Sequence, residues 1–274
     1  MRDLADMGLE HQPRALGQIS ISTCLKRKSS GLDDLYQKGC LKALFPNRND
    51  HVEAVLINTS GGITGGDRLD VKAHAKSNTH MVLSTQACER VYRAQADSIG
   101  KVNTALTVSD GAMLAWLPQE TLFFDGGHLE RSLTVNLEKS ARALVIEPVL
   151  FGRLAMGETQ INGRFRDRID VSIDGDLLYR DITLLAGDIT AKLARPAVAN
   201  GMRAMATLLY RAPEAAGYHA QLAAHLNSTS GSTLLAKDFL ALRFLASDGQ
   251  ELRKMMLPIL DLFTRNTLPK CWRL

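Results

Sequence analysis

The amino-acid sequence predicts a mainly β chain, a mostly antiparallel or stacked body of strands with a few helices toward the C-terminus. Two observations carry this prediction. Apolar side chains recur with a period of two in segment after segment from Leu69 to Ile173, and turn signals separate these segments at regular spacing. No helical pattern intervenes between them, which argues against βαβ units.

The first clear segment is Leu69–Lys76, where Leu69, Val71, Ala73 and Ala75 alternate with Asp70, Lys72, His74 and Lys76. Val102, Thr104, Leu106 and Val108 form one side of the next. Leu133, Val135 and Leu137 alternate with Thr134, Asn136 and Glu138, and Ile169, Val171 and Ile173 with Arg168, Asp170 and Ser172. Each is the pattern of a strand with one wet face. Ser77-Asn78, Ser109-Asp110-Gly111, Asp125-Gly126-Gly127 and Asp174-Gly175-Asp176 supply the turns. Helix formers dominate Glu214–Asn227, and Ser232–Ala246 fits a strand or hairpin. A final helix begins at Asp248, with Glu251 in the capping-box position. Leu252, Met255, Met256, Ile259, Leu260 and Phe263 follow helical spacing, with the two methionines read as core fillers. Pro258 predicts a kink or break near Lys254. No linker, low-complexity tract or repeat divides the chain, so residues 1–274 are expected to form one domain, with 1–14 as a flexible N-terminal extension.

Composition narrows the function classes. At 274 residues and 45% hydrophobic, the chain can bury a sizeable core. No apolar run approaches the roughly 18 residues of a membrane span, and the first residues lack the apolar centre of a secretory signal. Cys24, Cys40, Cys88 and Cys271 show neither zinc nor dithiol spacing, and a cytoplasmic location is expected. The net charge of +4 is spread out, with Lys26-Arg27-Lys28 the only compact cluster. With 5% aromatic residues, this is not the composition of a nucleic-acid binder.

Between Asn58 and Asp70 the chain reads NTSGGITGGDRLD, with Gly61-Gly62 and Gly65-Gly66 closed by Asp67 and Arg68. A P-loop would continue as Gly-Lys-Ser/Thr into a helix, and a dinucleotide loop would space its glycines differently. The residues alone read as a tight connection between two strands. Glu120, Glu147 and Glu158 stand in apolar runs. Such carboxylates must be paired, hydrogen-bonded, metal-bound or shifted in pKa. Structural pairs with Arg153, Arg164, Arg166 or Arg168 are one reading; a catalytic pair or a cation path is the other. No GxSxG elbow or triad context is present. His74 and His80 flank a turn and could face each other, and His128 is a weaker metal candidate; neither makes a three-ligand site.

Five blocks together resemble one family, the urease accessory proteins UreD, also called UreH. They are GGITGGDRL at Gly61–Leu69, LSTQACERVYRA at Leu83–Ala94, WLPQETLFFDGG at Trp116–Gly127, EPVLFGRLAMGE at Glu147–Glu158 and GRFRDRIDVSIDGDLLYRD at Gly163–Asp181. The resemblance spans roughly residues 15–272. Gly61, Gly62, Gly65, Gly66, Arg68, Tyr92, Arg93, Gly152 and Arg153 are its motif residues. Two departures stand out: Thr59-Ser60 replaces a proline pair, and Thr85-Gln86-Ala87-Cys88 replaces a Thr-Pro-Gly-Ala turn.

The resemblance implies a β-helix-like stack of strands and a non-enzymatic assembly factor with no tightly bound cofactor. It further implies binding to apo-urease alongside UreF-type and UreG-type accessory proteins, with GTP-dependent delivery of Ni²⁺ through an internal channel. A transit path must bind a cation weakly enough to release it, which suits scattered oxygen ligands. Asp67, Glu120 and Glu147 are the candidate groups of such a path, with Glu158 behind them. The rival readings are a cytosolic hydrolase using Glu120 and Glu147 as acid and base, and a β-rich module whose glycine loop contacts an anion. A scaffold of several partners is also expected to expose apolar contact surface.

Overall fold

The structure is a computed structural model that describes residues 13–48 and 50–273. The expected extension, residues 1–14, lies outside the described residues except for Pro13 and Arg14. The chain opens on an antiparallel hairpin of β1 (Leu16–Lys26) and β2 (Ser29–Gly39), followed by β3 (Leu41–Leu44) and β4 (Val52–Asn58). It then winds in rungs. β5 (Arg68–Ala75), β6 (His80–Thr85) and β7 (Glu89–Val91) form one rung; β8 (Gly100–Val108), β9 (Met113–Leu117) and β10 (Thr121–Phe123) form the next. β11 (His128–Leu137) and β12 (Arg142–Phe151) complete a third, because β12 is long enough to serve two sides. Its first residues pair with β9 and its last with β10. β13 (Asn162–Ile173) and β14 (Asp176–Asp188) end the winding, and α1 (Ile189–Ala194) leads into β15 (Ala204–Arg211). The C-terminal part holds α2 (Ala215–Leu222), the hairpin of β16 (Ser230–Ala236) and β17 (Phe239–Ala246), and α3 (Gly249–Thr264).

Two sheets face each other across the interior. The first runs β14-β13-β11-β8-β5-β1-β2, the second β16-β17-β15-β12-β9-β6-β4-β3. Within the rungs every pairing is parallel: β5 to β8, β8 to β11 and β11 to β13 on one side, β4 to β6, β6 to β9 and β9 to β12 on the other. The stacked alternative of the sequence reading therefore holds, and the antiparallel one is confined to the ends. Parallel neighbours need a long return path. Here the facing sheet supplies it instead of a helix.

A short third side closes the solenoid. Ile63 bridges Val91, Val91 pairs with Phe123, and Phe123 with Phe151. All four side chains are buried in one column, and Phe165 joins the last two rings at centroid distances of 5.7 and 5.3 Å. A second column, Ile19–Val71–Thr104–Leu133–Ile169, crosses the first sheet in register.

All four alternating segments of the sequence lie in the first sheet, whose outer face meets solvent. The second sheet is covered on both faces, so β12 reads as the nearly continuous apolar run ALVIEPVLF. Its outer face packs against α3 through Leu252, Met256, Ile259, Leu260 and Phe263, with Phe263 stacked on Tyr210 at 4.5 Å. Met255 is only partly buried. Trp272 closes this layer, its ring nitrogen donating to the Leu117 carbonyl at 2.9 Å.

Two local expectations change, the break in α3 and the end of α2. α3 runs unbroken from Gly249 to Thr264 across Pro258, because a fully packed apolar face holds both halves against the same sheet. The Asp248 carboxylate caps it through the Glu251 amide, as the spacing predicted, while the Glu251 side chain accepts from Ser247. α2 stops at Leu222 rather than Asn227, since the Asn227 side chain accepts from Thr229 and Ser230 and so builds the turn into β16. Lys26-Arg27-Lys28 is the solvated end of the β1–β2 hairpin.

If the third-side column holds the rungs in register, Phe123→Ala should cost about 3–5 kcal/mol, measured by urea unfolding. A loss below about 1 kcal/mol would show that the column is dispensable.

Candidate functional site

The glycine loop joins β4 in the second sheet to β5 in the first, so it crosses the third side rather than making a tight strand-to-strand turn. Ile63 at its centre donates to the Arg90 carbonyl and accepts from the Tyr92 amide. A Cβ on Gly62, where φ is 153°, would meet the Tyr92 ring and the Arg90 carbonyl at 2.7 Å. One on Gly65 would meet Ser98, including its carbonyl at 2.8 Å. Gly61 and Gly66 supply positive φ at the corners. Asp67 is the clasp: one oxygen accepts from the Thr64 amide at 2.8 Å, the other from the Ala15 amide at 2.7 Å. Arg68 points to the outer face of the sheet, 2.9 Å from Asp70.

The buried glutamates have different arginines from those nearest in sequence. Glu147 projects from β12 into the interior, 2.5 Å from Arg131 of β11, and accepts from the Trp116 ring nitrogen at 2.7 Å. Arg131 grips Asp167 of β13 with two bonds, 2.9 and 2.6 Å, and also donates to the Thr121 hydroxyl at 3.2 Å. One guanidinium thus serves two carboxylates across the solenoid. Burial pushes the Glu147 carboxyl above its ordinary range; the Arg131 charge, shared with Asp167, opposes this only in part. Glu120 lies outside this network. It is held bidentately by Arg253 of α3 at 2.6 and 2.9 Å, with the Cys88 sulfur 3.3 Å away. Glu158 takes Arg153, as its spacing suggested, and accepts the Asp125 amide.

The remaining motif residues meet on the third side. Gly152, at φ 85°, turns the chain out of β12 so that the Arg153 guanidinium lies 4.3 Å over the Phe124 ring. Tyr92 packs edge-on against Phe124 at 5.5 Å, and Arg93 pairs with Asp125. The 3₁₀ turn Leu154–Met156 follows Arg153, with Met156 78% exposed.

Between the sheets lies a cavity of about 210 Å³. Exposed Gly61, Gln86, Ala87 and Arg90 border one end, and buried Thr104, Trp116, Thr121, Arg131 and Glu147 form the other. Of the three candidate carboxylates only Glu147 lines it. Asp67 lines a separate shallow hollow at the loop, and Glu120 a groove beside α3. The cavity has a second acid that sequence reading did not single out. Glu89 of β7 is held by the Asn58 amide at 3.1 and 3.3 Å, and no basic side chain among the described residues pairs with it. Burial raises its carboxyl to about 7, offset only in part by Asn58. Arg131 and Asp167 could have been found: each occupies an inward position of an alternating strand, Leu129–Leu137 and Phe165–Ile173. Glu89, in a three-residue strand, left no such signal.

The histidines do not converge. His74 bonds the Ser109 hydroxyl at 3.0 Å, and His128 the Ser98 carbonyl at 3.2 Å. His80 lies 5.0 Å from the His51 ring, with burial lowering it to about 4. Among the described residues no group of three or more His, Cys, Asp or Glu is arranged to hold a metal ion, and no helix is long and apolar enough to cross a membrane.

Fold and site thus define a strand-stacked protein with a polar-ended internal cavity and no assembled catalytic constellation among the described residues. The family model for the UreD urease accessory protein matches residues 15–273. A urease accessory protein UreD from Roseobacter denitrificans is 45% identical over 263 residues, 96% of both chains. The one from Ruegeria pomeroyi is 45% identical over 93% of this chain and 99% of its own length, and that from Agrobacterium fabrum 40% over 96% and 93%. The chain belongs to the UreD urease accessory protein family.

Arg131→Met strands Glu147 and Asp167 without a counter-ion and should destabilise by about 3–5 kcal/mol in urea unfolding. Replacing all three with uncharged residues should recover most of that loss. Glu89 gives a pH signature. A carboxyl raised on folding binds its proton more tightly in the folded state, so stability is lost as pH rises from the unfolded value through about 7. Glu89→Gln should therefore match the parent near about pH 4 and exceed it by about 1–3 kcal/mol near about pH 8. Equal stability of the two proteins at both pH values would contradict the assignment.

Proposed function

We propose that this chain is a non-enzymatic assembly factor for urease. It binds apo-urease, acts with UreF-type and UreG-type accessory proteins, and helps GTP-dependent insertion of Ni²⁺ into the urease metallocentre. Family membership across nearly the whole chain is the observation that carries this reading. The cavity supports a transit role: a cation entering between Gly61 and Gln86 meets Glu89 and then Glu147. Both are single oxygen donors, one already held by an amide and the other by a guanidinium. Such sites admit a divalent ion without trapping it, as conduction requires. Asp67 serves this path indirectly by shaping the loop at its mouth, and Glu120 by fixing α3 beside Gln119 and Cys88.

The hydrolase reading finds no support in the geometry, because Glu120 and Glu147 are bound to different arginines and open onto different spaces. An anion at the glycine loop would compete with Asp67 for the Thr64 amide and face its charge.

Reconstituted activation of apo-urease with nickel, GTP and the partner proteins tests the proposal. Adding this chain should raise urease activity, and Glu147→Gln should cut the gain by roughly tenfold while the protein complex still assembles. Full activation by Glu147→Gln would remove the transit role, and activation indifferent to this chain would remove the assembly role.

A further inference from the structure

The first sheet ends differently at its two edges. β2, at one edge, carries Asp33, Asp34 and Lys38 and a register shift opposite Ser22 and Thr23. Charge and irregularity of this kind keep an edge from pairing with other chains. β14, at the other edge, is 13 residues long and has no strand on its outer side among the described residues. Its one register shift falls near its start, opposite Val171 and Ser172, so Tyr179–Asp188 is regular. Along this stretch Ile182 and Leu184 keep 51% and 53% of their surface exposed.

The charges around these apolar side chains are one-sided. Pairing with β13 sets Leu184 beside Arg166, Ile182 beside Arg168, and Arg180 beside Asp170. Asp170 already receives both Arg168 and Arg180, and Arg164 takes Glu130. No acid among the described residues pairs with Arg166. On the outer side of β11, β13 and β14, Arg164, Arg166, Arg168 and Arg180 thus face Glu130 and Asp170, with apolar side chains between them, while Asp188 at the end of β14 is engaged in capping α1.

We propose that the free edge of β14 is a docking site for an extended, acidic segment of a protein partner, which adds to the sheet as a further strand. The backbone edge supplies the hydrogen bonds. Ile182 and Leu184 supply apolar contact, and the arginines select carboxylates at alternate positions of the incoming strand. A second copy of this chain is disfavoured, since two-fold pairing of β14 with itself would bring the arginine rows together. An anionic membrane would use the charge but leave the row of N–H and C=O groups unpaired. That the partner is a member of the urease assembly rests on the function proposed above; the edge itself does not.

Amide hydrogen exchange on the full chain tests the site, with a soluble peptide alternating valine and glutamate as probe and its valine–lysine counterpart as control. The acidic peptide should slow alternate amides of Arg180–Gly187 by about tenfold or more. Added salt should weaken the effect, and Arg166→Glu with Arg168→Glu should abolish it without changing the rest of the exchange map. Competition by apo-urease or by the UreF-type protein should then displace the peptide. No slowing, or equal slowing by the lysine peptide, overturns the inference. So does a dimer of the free chain that Ile182→Glu dissociates, because the edge would then be occupied by a second copy. Slowing by the acidic peptide that neither urease nor the UreF-type protein competes away keeps the docking edge and rejects its place in the urease assembly.

Discussion

Parallel strands cannot follow one another along a chain without a return path, and this protein makes every return through the opposite sheet and a short third side. The in-register column Ile63, Val91, Phe123 and Phe151 is where that third side closes. Slipping one rung by a residue would turn each of these side chains outward and carry both sheets with it. The glycine loop follows from the same constraint. It must pass from β4 to β5 while its central residue takes a place in the column, and only glycine lets the backbone come so close to Arg90, Tyr92 and Ser98.

Within this frame the interior is not uniformly apolar. Glu147, Arg131 and Asp167 come from three strands on two sheets, so they meet only when the rungs are stacked. A buried network of this kind adds little net stability, since desolvation offsets most of the attraction. It does set a polar end to a cavity that is otherwise lined largely by aliphatic side chains. Glu89, nearer the exposed end and without an arginine, is the more adaptable of the two cavity acids. In the function proposed above, the committed and the free carboxylate along this narrow space are the groups that a passing cation meets, and the arginine-flanked edge of β14 is the proposed place of a partner.

Much of this was legible in the sequence, though unevenly. Strand alternation appeared cleanly in β5, β8, β11 and β13 because their outer face is wet, and was hidden in β12 and β15 because both faces are covered. The cap of α3 was readable from Asp248 and Glu251, whereas its passage through Pro258 depended on packing. Arg131 and Asp167 sat in plain alternation as charges on an inward face. Their local context said that they must be satisfied, not by whom.

By itself the sequence determined the strand-rich class, the late helices, the absence of a nucleotide loop and the resemblance to UreD proteins. Those rest on local spacing and on residue order, which are properties of the chain itself. Tertiary structure alone decided that the stacked rungs pair in parallel and close through a third side, and that Glu147 faces the cavity between the sheets while Glu120 and Asp67 do not. It also decided which arginine answers which glutamate and which sheet edge is left bare. Except for Arg153 and Glu158, those outcomes depend on residues that different strands or helices bring together, 133 positions apart for Glu120 and Arg253, and nothing in local spacing measures the distance between rungs.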